Sequence, residues 1–254
     1  MSALFVFIPP QTLLAEGCQR PVVDEWATIA YVHDGDTVRL RDGRSVRLIG
    51  INTPELARKH SAEQPLAQEA KDFLNQALAS KRVGLVFGPD RKDRHGRVLA
   101  HLMSPQGMNL NLELVRRGLA HAIAVPPNVN YLECYTRAEY RARKGRSGLW
   151  KLKFYQPRLA SQLSGKERGF HLVRGRVVRI DESRKAYWLH LDGPIVVRIT
   201  KRDIERFANL QIWSLIERGV EVRGWIHPYK QALQLSIRHH FAMKPLEDLW
   251  LEQR

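Results

Sequence analysis

The feature that most constrains this chain is a series of short alternating segments between Trp26 and Ile51, cut by two Asp-Gly turns. Trp26 to His33 (WATIAYVH) is followed by Asp34-Gly35-Asp36, then Thr37 to Leu40, then Arg41-Asp42-Gly43-Arg44, then Ser45 to Ile51. Apolar side chains at every second position give a strand one buried face, and an Asp-Gly joint closes a tight hairpin. Two such joints in series predict a three-stranded meander. The period then changes. Ala67, Ala70, Phe73, Leu74 and Leu78 fall on one side of a helix over Ala67 to Leu78. Strands return at Val83 to Phe87 and Val98 to Met103. A second helix follows over Asn109 to Arg117, closed by Gly118 in the C′ position. A third, Leu132 to Lys144, runs into Gly148-Leu149-Trp150. Five strands with interleaved helices read as a small α+β barrel.

A second strand-rich block follows. His171 to Ile180, Tyr187 to Leu191, Ile195 to Thr200, Val220 to His227 and Leu233 to Arg238 are strand candidates, with a helical stretch, Lys201 to Ile216, between the third and fourth. Gly175 and Gly224 each fall inside a strand, where glycine marks a bulge or bend as a sheet curls. This block is similar to an oligonucleotide-binding fold. Between the blocks, Lys151 to Gly169 lacks periodicity and carries Pro157, Ser164 and Gly165. The expected organisation is therefore a domain over 19–152, a linker over 153–169, an accessory barrel over 170–244 and a tail over 245–254.

Of the 254 residues, 44% are apolar, enough for packed cores, while 41 Lys and Arg against 26 Asp and Glu leave a net charge of +15. Both halves are basic. That charge favours a polyanionic partner. The apolar run near the start is far too short to span a bilayer, so no membrane span is expected. Ser2 to Ala15, followed by Glu16-Gly17-Cys18, resembles the apolar core of a secretory signal. No Lys or Arg precedes it and Pro9-Pro10 interrupts it, so residues 1–18 read as a degraded or truncated export signal. Two cysteines, Cys18 and Cys134, are too few for a disulfide scaffold or a cysteine-only zinc site. They are either a long-range bridge or two buried thiols.

Three clusters carry polar groups where packing alone would not place them. Asp34-Gly35-Asp36-Thr37 sets two carboxylates one residue apart at a strand turn, a pattern suited to a hard cation but also to an ordinary hairpin. Arg47-Leu-Ile-Gly-Ile-Asn52-Thr53-Pro54-Glu55 brings a guanidinium, an amide, a hydroxyl and a carboxylate to one strand exit. Asp93-Arg94-His95-Gly96-Arg97 is a basic turn ahead of the strand from Val98. Together they hold what phosphodiester cleavage needs. A cation and two guanidinium groups can neutralise a pentacoordinate phosphorus dianion, and a carboxylate can activate water. Arginine suits the task because its planar fork matches phosphate oxygens.

The order DGDTVRL, RLIGINTPE, DRHGRVLAHL, NLELVRRGLA, AEYRARKGRSGLW resembles the staphylococcal-type nucleases, the thermonucleases, over about Trp26 to Trp150. The resemblance implies a five-stranded oligonucleotide-binding-type barrel with three helices. With the second barrel, the whole chain is expected to be α+β and mainly β. The resemblance also implies calcium-dependent hydrolysis of DNA and RNA to 3′-phosphates and 5′-hydroxyls. By that likeness Arg47 and Arg97 grip the scissile phosphate and Glu55 is the general base. Asp36 and Asn52 ligate calcium through side chains, Thr53 does so through its backbone carbonyl, and Asp34 supports the metal site.

Asn52 departs from the family, which places an aspartate there. One negative charge is lost, so weaker calcium binding or use of another divalent ion is expected. His95 replaces the family's tyrosine, and Ala122 to Val125 lacks its tyrosines. Arg94 and His95 are candidate substrate contacts. In the second barrel Tyr187, Trp188, Arg223 and Trp225, with Tyr229 and Arg198 nearby, could stack bases and hold phosphates. His239-His240 lacks a third ligand and reads as a solvated strand end. A Cys18–Cys134 bridge gains support from the family reading, since it would tie the entering strand to the third helix of an exported enzyme. The competing function is a nucleic-acid-binding or scaffold protein that keeps the fold without the activity, and Asn52 is its main support.

Overall fold

The computed structural model describes Cys18 and residues 22–59, 61–207 and 211–246. Most of the expected export signal and of the C-terminal tail lies outside the described residues. Five strands close the first barrel: β1 (Glu25–Asp34), β2 (Thr37–Leu40), β3 (Ser45–Leu48), β4 (Arg82–Lys92) and β5 (Val98–Met103). Around the barrel they run β1-β2-β3-β5-β4. All neighbours are antiparallel except β3 and β5, where Val46 pairs Val98 and Leu48 pairs Ala100. Ile29, Val32, Val38, Leu40, Val46, Leu48, Val83, Leu85 and Leu102 fill the interior. The three expected helices are present as α1 (Ala67–Ala77), α2 (Leu110–Arg116) and α3 (Leu132–Lys144).

Both ends of α2 have a local cause. The Asn109 side chain accepts a hydrogen bond from the Leu112 N–H at 3.0 Å, capping α2. Gly118 terminates it at φ 68°, where an added Cβ would lie 2.2 Å from the Ser147 carbonyl oxygen. A side chain there would be both strained and blocked. Helix α3 buries Cys134, Tyr135, Ala138, Glu139 and Ala142 along one face. Cys134 bonds to Cys18 across a sequence separation of 116 residues.

The second barrel repeats the plan with β6 (Gly169–Glu182), β7 (Ala186–Leu191), β8 (Ile195–Thr200), β9 (Gly219–Tyr229) and β10 (Ala232–Ile237). Their circular order is β6-β7-β8-β10-β9, closed by β9 pairing with β6, and again the third and fifth strands are parallel. The fold is thus two five-stranded barrels, mostly β, as expected. Two expectations fail locally. The described residues of 201–216 form 3-10 turns, Lys201–Phe207 and Ile212–Leu215, where an α-helical stretch was expected. The stretch read as a linker is packed. Arg158–Leu159 pairs in parallel with β6, and Ala160 and Leu163 are buried in the second core. Gly193 makes this contact possible, because a Cβ there would lie 2.0 Å from the Ala160 carbonyl oxygen.

Charged pairs and rings join the barrels. Arg143 of α3 donates two hydrogen bonds to Glu221 of β9, at 2.7 and 2.8 Å, and Arg174 of β6 donates a third at 2.8 Å. Burial opposes ionisation of Glu221, but the two arginines prevail and hold its carboxyl at about 2. Arg223 of β9 pairs with the buried Glu139 of α3. His121 packs edge-on to Trp150 and against Phe170, its pKa pushed down to about 3 by burial and by the charges of Arg223 and Arg143. Among the described residues no helix is long and apolar enough to cross a membrane.

Candidate active site

The barrel pairing brings the three polar clusters to one end. Asp34 closes β1, and the Asp34 carboxylate accepts the Asp36 N–H at 3.1 Å across the turn. On the strand pair that follows, Thr37 lies opposite Arg47. On its other side Arg47 faces Leu99, two residues beyond Arg97. Register alone therefore sets the two arginines and the aspartate turn side by side. Gly35 is required here for closeness, since a Cβ would lie 2.7 Å from Ala70 Cβ and 2.8 Å from Thr53 Oγ1.

Arg47 is the fixed member. Its guanidinium donates to the Leu48 and Ile51 carbonyls at 2.7 and 3.0 Å and pairs with Asp36 at 3.0 Å, leaving the side chain 14% exposed. Arg97 is aimed by Asp93, which accepts from its Nε at 2.7 Å and from the backbone N–H groups of Arg97 and His95. Burial works against the Asp93 charge, but these donors hold its carboxyl below the usual range. Glu55 sits on the loop after the short strand Ile51–Asn52. The Glu55 N–H donates to Gln64 Oε1 at 3.0 Å, its carboxylate accepts from Arg58 at 2.6 Å, and its side chain remains 47% exposed.

Asp36 is held by Thr37 Oγ1 and by the Thr53 N–H, each at 3.1 Å. Asp34, Asp36, Asn52 and Thr53 are all buried. Burial, and then the Asp36 charge, push the Asp34 carboxyl above its ordinary range. Asn52 pairs through its backbone with His121 on the short strand behind the turn. Two crowded carboxylates with a buried amide and a threonine beside them form an oxygen-rich set whose chemistry fits a hard cation. Among the described residues no three His, Cys, Asp or Glu side chains cluster as a metal site, here or elsewhere, so this set has two carboxylates and depends on amide and carbonyl oxygens for the rest.

Asp34, Asp36, Arg47, Asn52, Glu55, Arg94, His95 and Arg97 all line one cleft of about 900 Å³. The candidate catalytic, metal and first-barrel substrate residues are thus brought together, with Thr53 immediately behind Asp36. Trp225 of the second barrel joins them. Arg223 does not. It is 11% exposed, ion-paired to Glu139, and lies over Phe241, so the expected phosphate contact is instead an inter-barrel pair. Tyr187 packs on the second core and against Trp213, on the opposite side of its strand from Trp188. Trp188 lies on the outer face, stacked with Tyr229.

Sequence reasoning overlooked Arg58, Gln64 and Asp93 as partners of Glu55 and Arg97, and Arg238 as a lining residue of the cleft. The spacings from Glu55 to Arg58 and from Asp93 to Arg97 were the available signals for two of them. Arg238 and Gln64 had none.

Comparison with known proteins gives a consistent result. The family described as staphylococcal nuclease homologue matches residues 45–152. A thermonuclease of Staphylococcus hyicus is 36% identical over 122 residues, covering 47% of this chain and 72% of that one. An uncharacterized endonuclease of Escherichia coli is 30% identical over 125 residues, covering 48% of this chain and 74% of that one. Endonuclease YhcR of Bacillus subtilis is 27% identical over 172 residues, 63% of this chain but 14% of that one. The second barrel lies beyond the family match.

Proposed function

The chain belongs to the family of staphylococcal nuclease homologues, and from that premise we propose a metal-dependent nuclease that hydrolyses DNA, RNA or both to 3′-phosphate products. Hydrolysis of phosphodiester bonds is what this family membership supports at the coarser level. The observation that best supports the finer reading is the meeting of Arg47, Glu55 and Arg97, from three separate chain segments, around one cleft with the buried Asp34, Asp36 and Asn52.

In this reading the exposed Glu55 carboxylate takes a proton from water as the water oxygen bonds to phosphorus. The bond from phosphorus to the 5′ oxygen breaks, the 5′ oxygen is protonated from solvent, and the phosphate stays on the 3′ side. Arg47 and Arg97 face the charge that grows on the phosphoryl oxygens. Both are already oriented, Arg47 by two carbonyls and Asp36, Arg97 by Asp93, so little reorganisation accompanies the reaction. Asp34, Asp36, Asn52 and the Thr53 carbonyl would hold calcium or another divalent ion, which supplies further positive charge beside the phosphate. Arg94 and His95, on the rim, would contact the flanking strand.

The Cys18–Cys134 bond supports export to an oxidising compartment. The reading of a binding or scaffold protein rests on Asn52 alone. Cleavage of single-stranded DNA and RNA by the purified protein, with calcium titrated against a chelator, decides between them. Calcium-dependent cleavage supports the nuclease. Salt-sensitive binding without cleavage would leave the binding protein.

A further inference from the structure

We propose that the second barrel positions the active site of the first, with Arg223 as the positioning residue. It holds the short strand His121–Ala122 and, through that strand, the segment Ile51–Thr53 behind the cleft. The proposal rests on the reading of that cleft as a metal-dependent active site.

Each residue of this segment serves the site. The Ile51 carbonyl accepts from the Arg47 guanidinium at 3.0 Å, Asn52 lines the cleft with Asp34 and Asp36, and the Thr53 N–H donates to the Asp36 carboxylate at 3.1 Å. A shift of the segment therefore moves an arginine, a candidate metal ligand and an aspartate together. Its own sheet is slight. Ile51 pairs with Ala122 and Asn52 with His121 in a sheet of two strands, extended by the Ile123 N–H, which donates to the Gly50 carbonyl at 2.9 Å. Two strands of two residues each are too little to hold a fixed position by themselves in water.

The support comes from outside the first barrel. Glu139 of α3 accepts the Ala122 N–H at 2.9 Å. One terminal nitrogen of Arg223, on β9, donates both to that carboxylate and to the Ala122 carbonyl, the latter at 3.3 Å. The N–H of Ala122 is thus held through Arg223 and its carbonyl by Arg223 directly. Beside it Phe170 of β6 packs on the His121 ring, with centroids 5.2 Å apart. Ala142, Trp150 and Leu172 form a small buried cluster between the barrels, with Phe170 packed against it.

With its side chain only 11% exposed, Arg223 acts inside this seam. Groups that orient ligands from behind set metal affinity and activity nearly as strongly as the ligands do. The family match ends at residue 152, so in this chain that role has passed to a segment beyond it.

The test uses the full-length protein and three variants, each well below its melting temperature. Calcium binding is measured by isothermal titration calorimetry, and exchange of the Ala122 and Ile123 amide hydrogens by NMR. Arg223→Ala should weaken calcium binding about tenfold, the lower end for loss of a group that orients a ligand, and should speed exchange of both amides. Arg223→Lys, whose ammonium can donate to the same two oxygens, should recover most of both. Val197→Ala opens a cavity in the second core and controls for lost stability: its Tm falls while calcium affinity and both amides stay at wild type. Calcium affinity and amide exchange no different between Arg223→Ala and Val197→Ala would overturn the proposal. Wild type that neither binds calcium nor cuts, with faster exchange in Arg223→Ala, would keep the positioning role and overturn the nuclease reading. Wild type that binds and cuts, with Arg223→Ala matching it in calcium affinity and exchange, would overturn the positioning role alone.

Discussion

Replacing Arg223 with alanine isolates the role of the inter-barrel pair. Arg223 and Glu139 are 11% and 6% exposed, and the Glu139 carboxylate also accepts the Ala122 N–H at 2.9 Å. Ala122 in turn pairs with Ile51 and His121 with Asn52, so this contact backs the strand that carries the candidate metal ligand. Removing the guanidinium leaves a carboxylate buried with one backbone donor. Breaking a buried pair in this one-sided way costs about 3–5 kcal/mol. For a chain of this size each kcal/mol moves Tm by about 2–4 °C, so a fall of roughly 10 °C is expected. The assay is a double-mutant cycle by urea unfolding and thermal melting. Because the penalty comes from the stranded charge, Arg223→Ala combined with Glu139→Gln should be more stable than Arg223→Ala alone. A shift of only a degree or two in Arg223→Ala, or losses that simply add, would refute the reasoning. If Arg223 contacted phosphate instead, its loss would leave Tm intact and reduce the salt slope of nucleic-acid binding by about one.

Other predictions concern the site and the fold. Arg47→Ala and Arg97→Ala should each lower kcat by about 10²–10³, as for removal of one preorganised donor facing transition-state charge, measured on a single-stranded oligonucleotide at saturating calcium. Asn52→Asp should lower the calcium concentration for half-maximal activity by restoring a carboxylate to the donor set, and no change would remove Asn52 from it. The Glu221 carboxyl is depressed to about 2, below its ordinary unfolded value, so its contribution is present above about pH 4.5 and lost as pH falls towards 2. Glu221→Gln should therefore destabilise at neutral pH and show a smaller acid loss between those limits in pH-dependent melts.

Much of the first barrel was legible because its signals are local. Alternation, Asp-Gly turns and helical spacing each act over a few residues, and the two aspartates, Arg47, Glu55 and Arg97 sit in short motifs at strand ends. What depended on distant partners was not. Arg223 looks like any strand arginine until Glu139, 84 residues away, faces it. Tyr187 and Trp188 are adjacent in sequence yet fall on opposite faces, and only the closed barrel reveals which is inward. The 158–163 stretch lacks periodicity because one short strand and a 3-10 turn carry it, held by room at Gly175 and Gly193. The placement of Trp225 in the cleft follows from how two barrels meet, which no motif records.

The central claim is that Glu55 activates the water attacking a phosphorus held by Arg47 and Arg97. Its most direct test compares wild type with Glu55→Gln in single-turnover cleavage of an end-labelled single strand, alongside binding of the same strand. The account predicts 3′-phosphate ends for wild type, a rate lower by about 10²–10⁴ for the variant, and nearly unchanged affinity. Cleavage by Glu55→Gln at the wild-type rate, or products ending in 5′-phosphate, would contradict it.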